Sequence, residues 1–260
     1  MTKPTTCNAS VKEVGRFLAS YADLLFASGS TCIRLEKNSR RIARAAGMEA
    51  DVMILPHHIQ VRVTDSHGNV TTNMTDIKER PNSFLINAEL SRLSWAIADG
   101  HVSIGHAARQ LHRIANTPRV TPWVELLLVA LANASFCRLF GGDLCAMAIV
   151  FIATAAGYAL KQLLMQRKVD FRIVVVCCSF LSAIIASADT IFSLGTTPQV
   201  AIGTSVLYLV PGIPFINSFC DMLDRHYICA FGRLMNAVVT TACLSVGLCM
   251  AMMVMHIDMF

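Results

Sequence analysis

Charge is scarce in this chain. Asp, Glu, Lys and Arg make up 15% of its 260 residues, against roughly 25% in an ordinary soluble domain. The shortage is local: 15 of the 22 Lys and Arg, and 10 of the 17 acids, stand before residue 121. From Trp123 to Met255 the sequence is a near-continuous series of apolar runs. The chain therefore reads as two objects, a soluble domain over 1–120 and a membrane domain over 121–260. The net charge of +5 averages over both. A membrane protein with basic cytoplasmic loops accounts for it without a nucleic-acid partner.

Other absences narrow the chemistry. The ten cysteines contain no C-x-x-C pair, and Cys137, Cys145, Cys177, Cys178, Cys243 and Cys249 fall in or beside apolar runs. They read as small buried hydrophobes rather than metal or redox ligands. The opening stretch MTKPTTCNASVKEV has no apolar segment, so no cleavable signal peptide is expected and insertion starts at the first internal span. No G-x-x-x-x-G-K-[ST] loop, kinase glycine loop, G-x-S-x-G elbow or H-E-x-x-H helix occurs. ATP hydrolysis by this chain alone and the common hydrolase sites are thereby disfavoured. His57, His58, His101, His106 and His112 lack metal-ligand spacing. No cofactor and no metal are expected.

In residues 10–28, Val14, Phe17, Leu18, Tyr21, Leu24 and Leu25 recur at three- and four-residue steps, the period of an amphipathic helix stopped by Gly29. A second helix is expected over 31–46, with Ile33, Ile42 and Ala46 inward, Arg34, Lys37, Arg40, Arg41 and Arg44 outward, and Gly47 as its stop. β-rich stretches at 51–55, 59–64 and 70–74 surround the turn cluster Asp65–Asn69. Helical patterns return over 84–98 and 103–116. The N-terminal domain is thus expected to be α+β with a small antiparallel sheet.

Pro118 and Pro122 bracket the entry to the apolar part. Five spans follow, at about 123–140, 144–164, 171–194, 199–219 and 230–255, each near the roughly 20 residues that cross a bilayer. Loop 165–172 carries Arg167, Lys168 and Arg172, and the region of 220–229 carries Arg225 and Arg233. Loop 194–198 and the tail from His256 hold no Lys or Arg. Alternation of basic and neutral loops places the N-terminal domain in the cytoplasm and the C-terminus outside. The expected fold is a membrane α-helical bundle of five transmembrane helices with an N-terminal cytoplasmic α+β domain.

The fourth span is interrupted by Val210-Pro211-Gly212-Ile213-Pro214. Pro211 cannot donate to the carbonyl of Leu207, nor Pro214 to that of Val210. Two freed carbonyls are expected on one face, and a new half-helix can begin at Phe215 with its positive dipole end at mid-membrane. Irregular backbone inside a bilayer is tolerated where protein or a water-filled cavity satisfies it, and in transporters such breaks tend to mark the substrate. The carbonyls suit an ammonium and the N–H groups a carboxylate, a pairing that fits an amino acid zwitterion. Pro211, Gly212, Pro214, Asn217, Leu207 and Val210 are therefore the candidate binding or gating residues. Asp221, Asn133, Asp143 and Glu125 are candidates for coupling or for the pathway, since ionisable groups in a membrane domain tend to face the bundle interior. Glu125, Lys161 and Asp143 also suit interfacial anchoring, and Asp189 lies near the outer end of span three.

Four segments, in this order, resemble the threonine/serine exporter family, most closely its two-component branch with a YjjP-type long subunit. They are Gly29-Ser30-Thr31-Cys32-Ile33-Arg34-Leu35-Glu36, Phe136-Cys137-Arg138-Leu139-Phe140-Gly141-Gly142-Asp143, Gln162-Leu163-Leu164, and Leu209-Val210-Pro211-Gly212-Ile213-Pro214 with Asn217 and Asp221. Ser30 departs from the family's usual acidic residue. The resemblance assigns Gly29, Thr31, Arg34 and Glu36 to the cytoplasmic motif. It implies export of L-threonine and L-serine across a bacterial inner membrane, or succinate export together with a small membrane subunit of the same family. That subunit and the bilayer are the implied partners, with a homo-oligomer as the alternative assembly. The rival readings are a membrane-tethered enzyme working through residues 1–120 and a regulatory subunit.

Overall fold

Ser10 opens the first helix. Its hydroxyl accepts the Glu13 N–H at 3.3 Å, and the Glu13 carboxylate accepts the Ser10 N–H at 3.0 Å, a reciprocal cap that satisfies two otherwise orphan donors. The computed structural model describes residues 10–78, 80–118, 120–192 and 194–256. The expectations placed on the stretch before Ser10 and on the tail after His256 lie outside the described residues. Two compact units form, one from the chain up to Pro118 together with Ile213–Met235, the other from Arg119–Gly212 together with the chain from Asn236. This departs from the expected grouping, in which all of 121–260 was one domain.

In the first unit, α1 (Val11–Ala27) and α2 (Cys32–Ala45) precede three strands, β1 (Glu49–Ile54), β2 (His58–Thr64) and β3 (Val70–Asp76). The sheet is antiparallel in the order β1-β2-β3, with Val52 opposite Val61 and Val61 opposite Asn73. The strands start or end up to two residues beyond the β-rich runs because pairing, with Glu49 opposite Thr64 and Asp76 opposite His58, extends them. The β2–β3 turn is tied by Asp65, whose Oδ1 accepts from the N–H groups of His67 and Asn69 at 2.8 Å each. The Asn69 side-chain amide, and then these N–H groups, hold the Asp65 carboxyl below the usual carboxylate range.

Ile59, Val61 and Val63 alternate into the core from β2, as a half-buried strand requires. Val14, Leu18, Tyr21 and Leu25 of α1 meet them there. Gly15 allows the approach: a Cβ at this position would stand 2.6 Å from Thr71 and against the Asn73 amide. The buried face of α2 is Cys32, Leu35, Asn38, Ser39, Ile42 and Ala43. Ile33 and Ala46 are only half-buried, a correction to the expected inner face. Arg41 also turns inward, donating to Asn38 at 2.8 Å and Ser94 at 2.7 Å and stacking on Trp95. Helices α3 (Phe84–Ala98) and α4 (Ile104–Ala115) follow. The unit is completed by α10 (Gly212–Leu223) and the first turns of α11 (Tyr227–Val254). There Cys229 joins the core and donates to the Ile54 carbonyl.

The second unit holds α5 (Pro122–Leu139), α6 (Leu144–Gln166), α7 (Phe171–Ala186), α8 (Ala188–Phe192), α9 (Pro198–Ser205), a 3₁₀ turn at Leu207–Leu209 and the remainder of α11. Among the described residues, four helical segments are long and apolar enough to cross a membrane: Pro122–Leu139, Leu144–Gln166, Phe171–Phe192 and Tyr227–Val254. Pro198–Leu209 and Gly212–Leu223 pass the same test only as a pair bent at a short break, the pattern of a broken span or of a re-entrant loop. The third segment is interrupted at Ser187, whose hydroxyl bonds back to the Ala183 carbonyl at 2.8 Å, a contact that bends helices. Small side chains line the buried seams, among them Ala130, Ala134, Ala146, Ala153, Ala183 and Ala201. They let helix backbones approach closely. Of the six cysteines expected inside, Cys137 and Cys178 are buried, Cys243 is half-buried, and Cys145, Cys177 and Cys249 face outward. Apolar surroundings of lipid tolerate an outward thiol as readily as a packed core does.

Candidate transport site

Asn133 organises the interior of the second unit. It is 3% exposed, and its amide donates to Thr154 Oγ1 at 2.6 Å, the Thr204 carbonyl at 3.0 Å and the Ser205 carbonyl at 3.5 Å. These carbonyls are available because the chain tightens ahead of the prolines. The Leu209 N–H turns to the Val206 carbonyl at 3.0 Å and so leaves Ser205, its partner in a regular α-helix. A polar line continues beside this point. Tyr208 Oη and Ser182 Oγ lie 3.0 Å apart, and Ser182 also donates to the Ala153 carbonyl at 3.2 Å. The Tyr208 ring meets the Tyr158 ring edge-on at 6.1 Å, Tyr158 donates to Glu125 at 2.7 Å, and the Lys161 ammonium stands 5.3 Å from the Tyr158 ring centre. Gly157 makes room: a Cβ there would collide with the Ser182 and Tyr208 hydroxyls.

The break itself differs from expectation in one respect. The carbonyls of Leu207 and Val210 are not free. Leu207 accepts the Val210 N–H at 3.1 Å, and Val210 accepts the Gly212 N–H at 2.9 Å. A 3₁₀-type bond at Leu207 and a γ-turn bond at Val210 offer nearer donors than the i+4 position that proline vacates. The carbonyls drawn into side-chain bonding are instead those of Thr204 and Ser205. Val210 is exposed, Leu207, Pro211 and Pro214 are half-buried, and Gly212 starts α10.

Asn217 and Asp221 lie in the first unit, in a cluster of another kind. Asn217 donates to the Gly29 carbonyl at 2.8 Å. Gly29 sits at φ +90°, a conformation open to glycine. Asp221 is fully buried. Its Oδ1 accepts the Cys32 N–H at 2.8 Å and its Oδ2 pairs with Arg233 Nη1 at 2.7 Å. Arg233 Nη2 donates to the Ser30 carbonyl at 2.7 Å, and its guanidinium lies 4.3 Å from the Phe26 ring centre. Asp221 thus caps α2, a role for which Thr31 uses no side-chain bond. Glu36 pairs with His226 at 3.4 Å and Arg40 at 3.7 Å, while Arg34 is exposed. Two motif segments nearly 190 residues apart in sequence are therefore one constellation. Both oxygens of Asp221 are engaged in these bonds.

Asp143 caps α6 through the Ala146 N–H at 2.7 Å and also accepts the N–H and hydroxyl of Thr196. These donors, Ala146 first, hold its carboxyl below the usual range. A groove of about 780 Å³ in the first unit is lined by Arg16, Phe17, Lys78, Arg80, Ile104 and His112 among others. None of the sequence-predicted site residues lines it. Among the described residues no group of three or more His, Cys, Asp or Glu side chains could hold a metal ion.

The polar interior was only partly foreseen. Asn133 and Glu125 stood out as polar groups in an apolar run. Tyr158, Tyr208, Thr154 and Ser182 did not, because each is an ordinary residue at its own position. The available signal was Tyr208, three residues before the first proline.

An all-helical membrane unit with a broken span and a buried polar line, joined to a small α+β unit, is the build of a membrane transport protein. The profile described as "Putative threonine/serine exporter" matches residues 16–255, and the chain belongs to that family. It is similar to "Probable succinate transporter subunit YjjP" of Escherichia coli K12, 26% identical over 232 residues, 88% of this chain and 89% of that one. The Klebsiella aerogenes protein of the same name is 25% identical over 242 residues, 93% of each. "Probable threonine/serine exporter" of Mycobacterium tuberculosis is 21% identical over 231 residues, 87% of this chain and 43% of that one. No solved structure matches.

Proposed function

We propose that this chain is one subunit of a secondary exporter that moves a small carboxylate-bearing metabolite out of the cytoplasm across the bacterial inner membrane. L-Threonine and L-serine are the first substrates. The observation that carries the reading is the polar line of Asn133, Thr154, Ser182, Tyr208 and Tyr158 beside the broken fourth span. A buried polar network in a membrane bundle is costly unless it has partners or a cargo. Glu125 and Lys161 both adjoin Tyr158, and the two signs together suit a zwitterion better than a dianion. In this reading the N-terminal unit is cytoplasmic and, with the bent pair counted as one span, the C-terminus lies outside; no catalytic role is assigned to the chain.

Pro211 and Pro214 keep the fourth span from closing into one helix. Asn217 and Asp221, on the half-helix that follows, bind the start of α2. In this reading they hold that half-helix rather than touch cargo. A partner subunit supplies the second half of the transporter, in keeping with the word "subunit" in the names of the two relatives that match this chain nearly end to end. Succinate is the second reading, favoured by those same names.

The test is reconstitution with and without the candidate small membrane subunit, following efflux of labelled serine, threonine and succinate. Serine and threonine efflux that needs both chains is expected. Efflux of succinate alone would select the second reading, and movement of none of the three would overturn the exporter assignment.

A further inference from the structure

Asp189 is a buried acid that the transport site above does not use. It is 0% exposed in α8. Its Oδ1 accepts the Gly195 N–H at 2.7 Å, and its Oδ2 has no hydrogen-bond partner among the described residues. Asp143 adjoins the same glycine. A Cβ on Gly195 would lie 2.8 and 3.0 Å from the two Asp143 oxygens and 3.0 Å from Asp189 Oδ1. Two carboxylates therefore crowd the same glycine, and neither forms an ion pair among the described residues.

Their situations are opposite. Asp143 accepts from Ala146, from the Thr196 N–H and from the Thr196 hydroxyl, which is how an ionised carboxylate is kept charged. Asp189 has one donor, full burial and a fixed negative charge nearby. A buried carboxylate oxygen without a donor is satisfied when it carries the hydrogen itself, since a protonated carboxyl is a donor as well as an acceptor. The remaining neighbours do not change this. Of the helices packed against α8, α9 has no titratable side chain. α7 carries Arg172, Cys177 and Cys178, three or more turns before Asp189. α6 carries the outward Cys145 beside Asp143, with Tyr158 and Lys161 toward its other end.

We propose that Asp189 is the proton-carrying site of the exporter, with Asp143 and the Gly195–Thr197 loop as the frame that holds it. This rests on the exporter reading and its topology, which put this loop on the outer side. A proton from the outer aqueous phase forms the O–H bond on Asp189. That bond breaks after the bundle re-opens inward, and the proton passes to water on the cytoplasmic side as cargo moves out. No oxidation or further reactant is involved. Asp189 Oδ2, with no donor of its own, offers a proton a place to bond, while Oδ1 keeps the Gly195 N–H.

Two measurements test it. In lipid-embedded full-length protein, infrared difference spectra on pH change should show the carbonyl stretch of a protonated carboxyl. The band should be lost in Asp189→Asn and retained in Asp189→Glu. This readout does not depend on solute movement, so its failure is distinct from failure of the exporter reading. Absence of any Asp189-dependent band across the accessible pH range would overturn the proposal, as would a band that responds to Na⁺ and not to pH. In proteoliposomes with the partner subunit, Asp189→Asn should lose transport driven by a pH gradient at least tenfold while one-for-one solute exchange stays within about twofold. Wild-type gradient-driven transport in that variant would also overturn it. Should Asp189→Asn fail to fold, Gly195→Ala, which crowds both carboxylates, should shift the pH at which the band appears; an unmoved band would count against the frame assigned to Asp143 and the loop.

Discussion

The polar cluster around Asp221 and the one formed by Asn133, Tyr208 and Asp189 are satisfied to different degrees. In the first, Asp221 has a partner for each oxygen, and Arg233 splits its guanidinium between that carboxylate and the Ser30 carbonyl. In the second, Asn133 spreads one amide over three acceptors, Tyr208 and Ser182 share a single contact, and Asp189 keeps an oxygen without a donor. A fully satisfied network rigidifies and specifies one arrangement. A partly satisfied one has capacity left for a ligand, and such groups in a native structure call for a functional explanation. The contrast separates motif residues that hold the protein together from polar residues that can work on cargo.

The largest effect should come from breaking the satisfied side. Arg233→Ala strands a fully buried carboxylate, and breaking such a pair typically costs about 3–5 kcal/mol; the partly exposed arginine, 16%, places this case at the lower end. Thermal unfolding in detergent or lipid measures it. The double substitution Asp221→Asn with Arg233→Met, which removes the charge as well, should recover more than half of the loss. A double variant no more stable than Arg233→Ala would show that the pair is not the origin of the effect.

The break comes next. Pro211→Ala with Pro214→Ala restores two backbone donors and permits a continuous helix. Insertion and stability should be unchanged or improved, while efflux falls to background. Normal efflux would reduce the break to a packing kink and blur the distinction between the units.

Asn133→Ala tests the working side. It leaves the Thr204 and Ser205 carbonyls and the Thr154 hydroxyl without that donor. In membrane proteins such contacts are worth about 0.6 kcal/mol on average and up to about 1.7. A stability loss of about 1 kcal/mol with a much larger loss of efflux is expected. A stability loss near 3 kcal/mol with proportionate efflux would make Asn133 a structural residue like Asp221.

How much of this was legible in the sequence follows from the range of each interaction. The helices of the first unit were readable because their apolar periodicity and stop glycines are local, and so was the hairpin around Asp65–Asn69. The apolar spans and the proline break were readable from composition alone. The partners of Asp221 were not. Cys32 and Ser30 are separated from Asp221 and Arg233 by about 190 residues or more, and no periodicity reports a pairing of that kind. The supposed free carbonyls at Leu207 and Val210 followed correctly from the missing proline donors. They were filled because a 3₁₀ turn and the tight turn after it supplied other donors, a local choice that residue spacing does not reveal.

The smallest predicted effect is also the sharpest test of the comparison. Thr31 stands at the N-cap of α2, where a threonine normally bonds to the first turn and its replacement by alanine costs about 1 kcal/mol. Here its side chain makes no cap bond, and the Cys32 N–H goes to Asp221 instead. Thr31→Ala should therefore change stability by less than about 0.5 kcal/mol, within the range of substitutions that remove no specific interaction. Ser10→Ala, at the reciprocal cap of α1, should cost about 1 kcal/mol under the same conditions and serves as the internal standard. Equal losses at the two positions would mean that the threonine caps its own helix and that the buried carboxylate is not needed for it. A loss at Ser10 alone would locate the cap of α2 on the half-helix that follows the proline break. That would make the first unit's satisfied network the element that fixes where that half-helix begins.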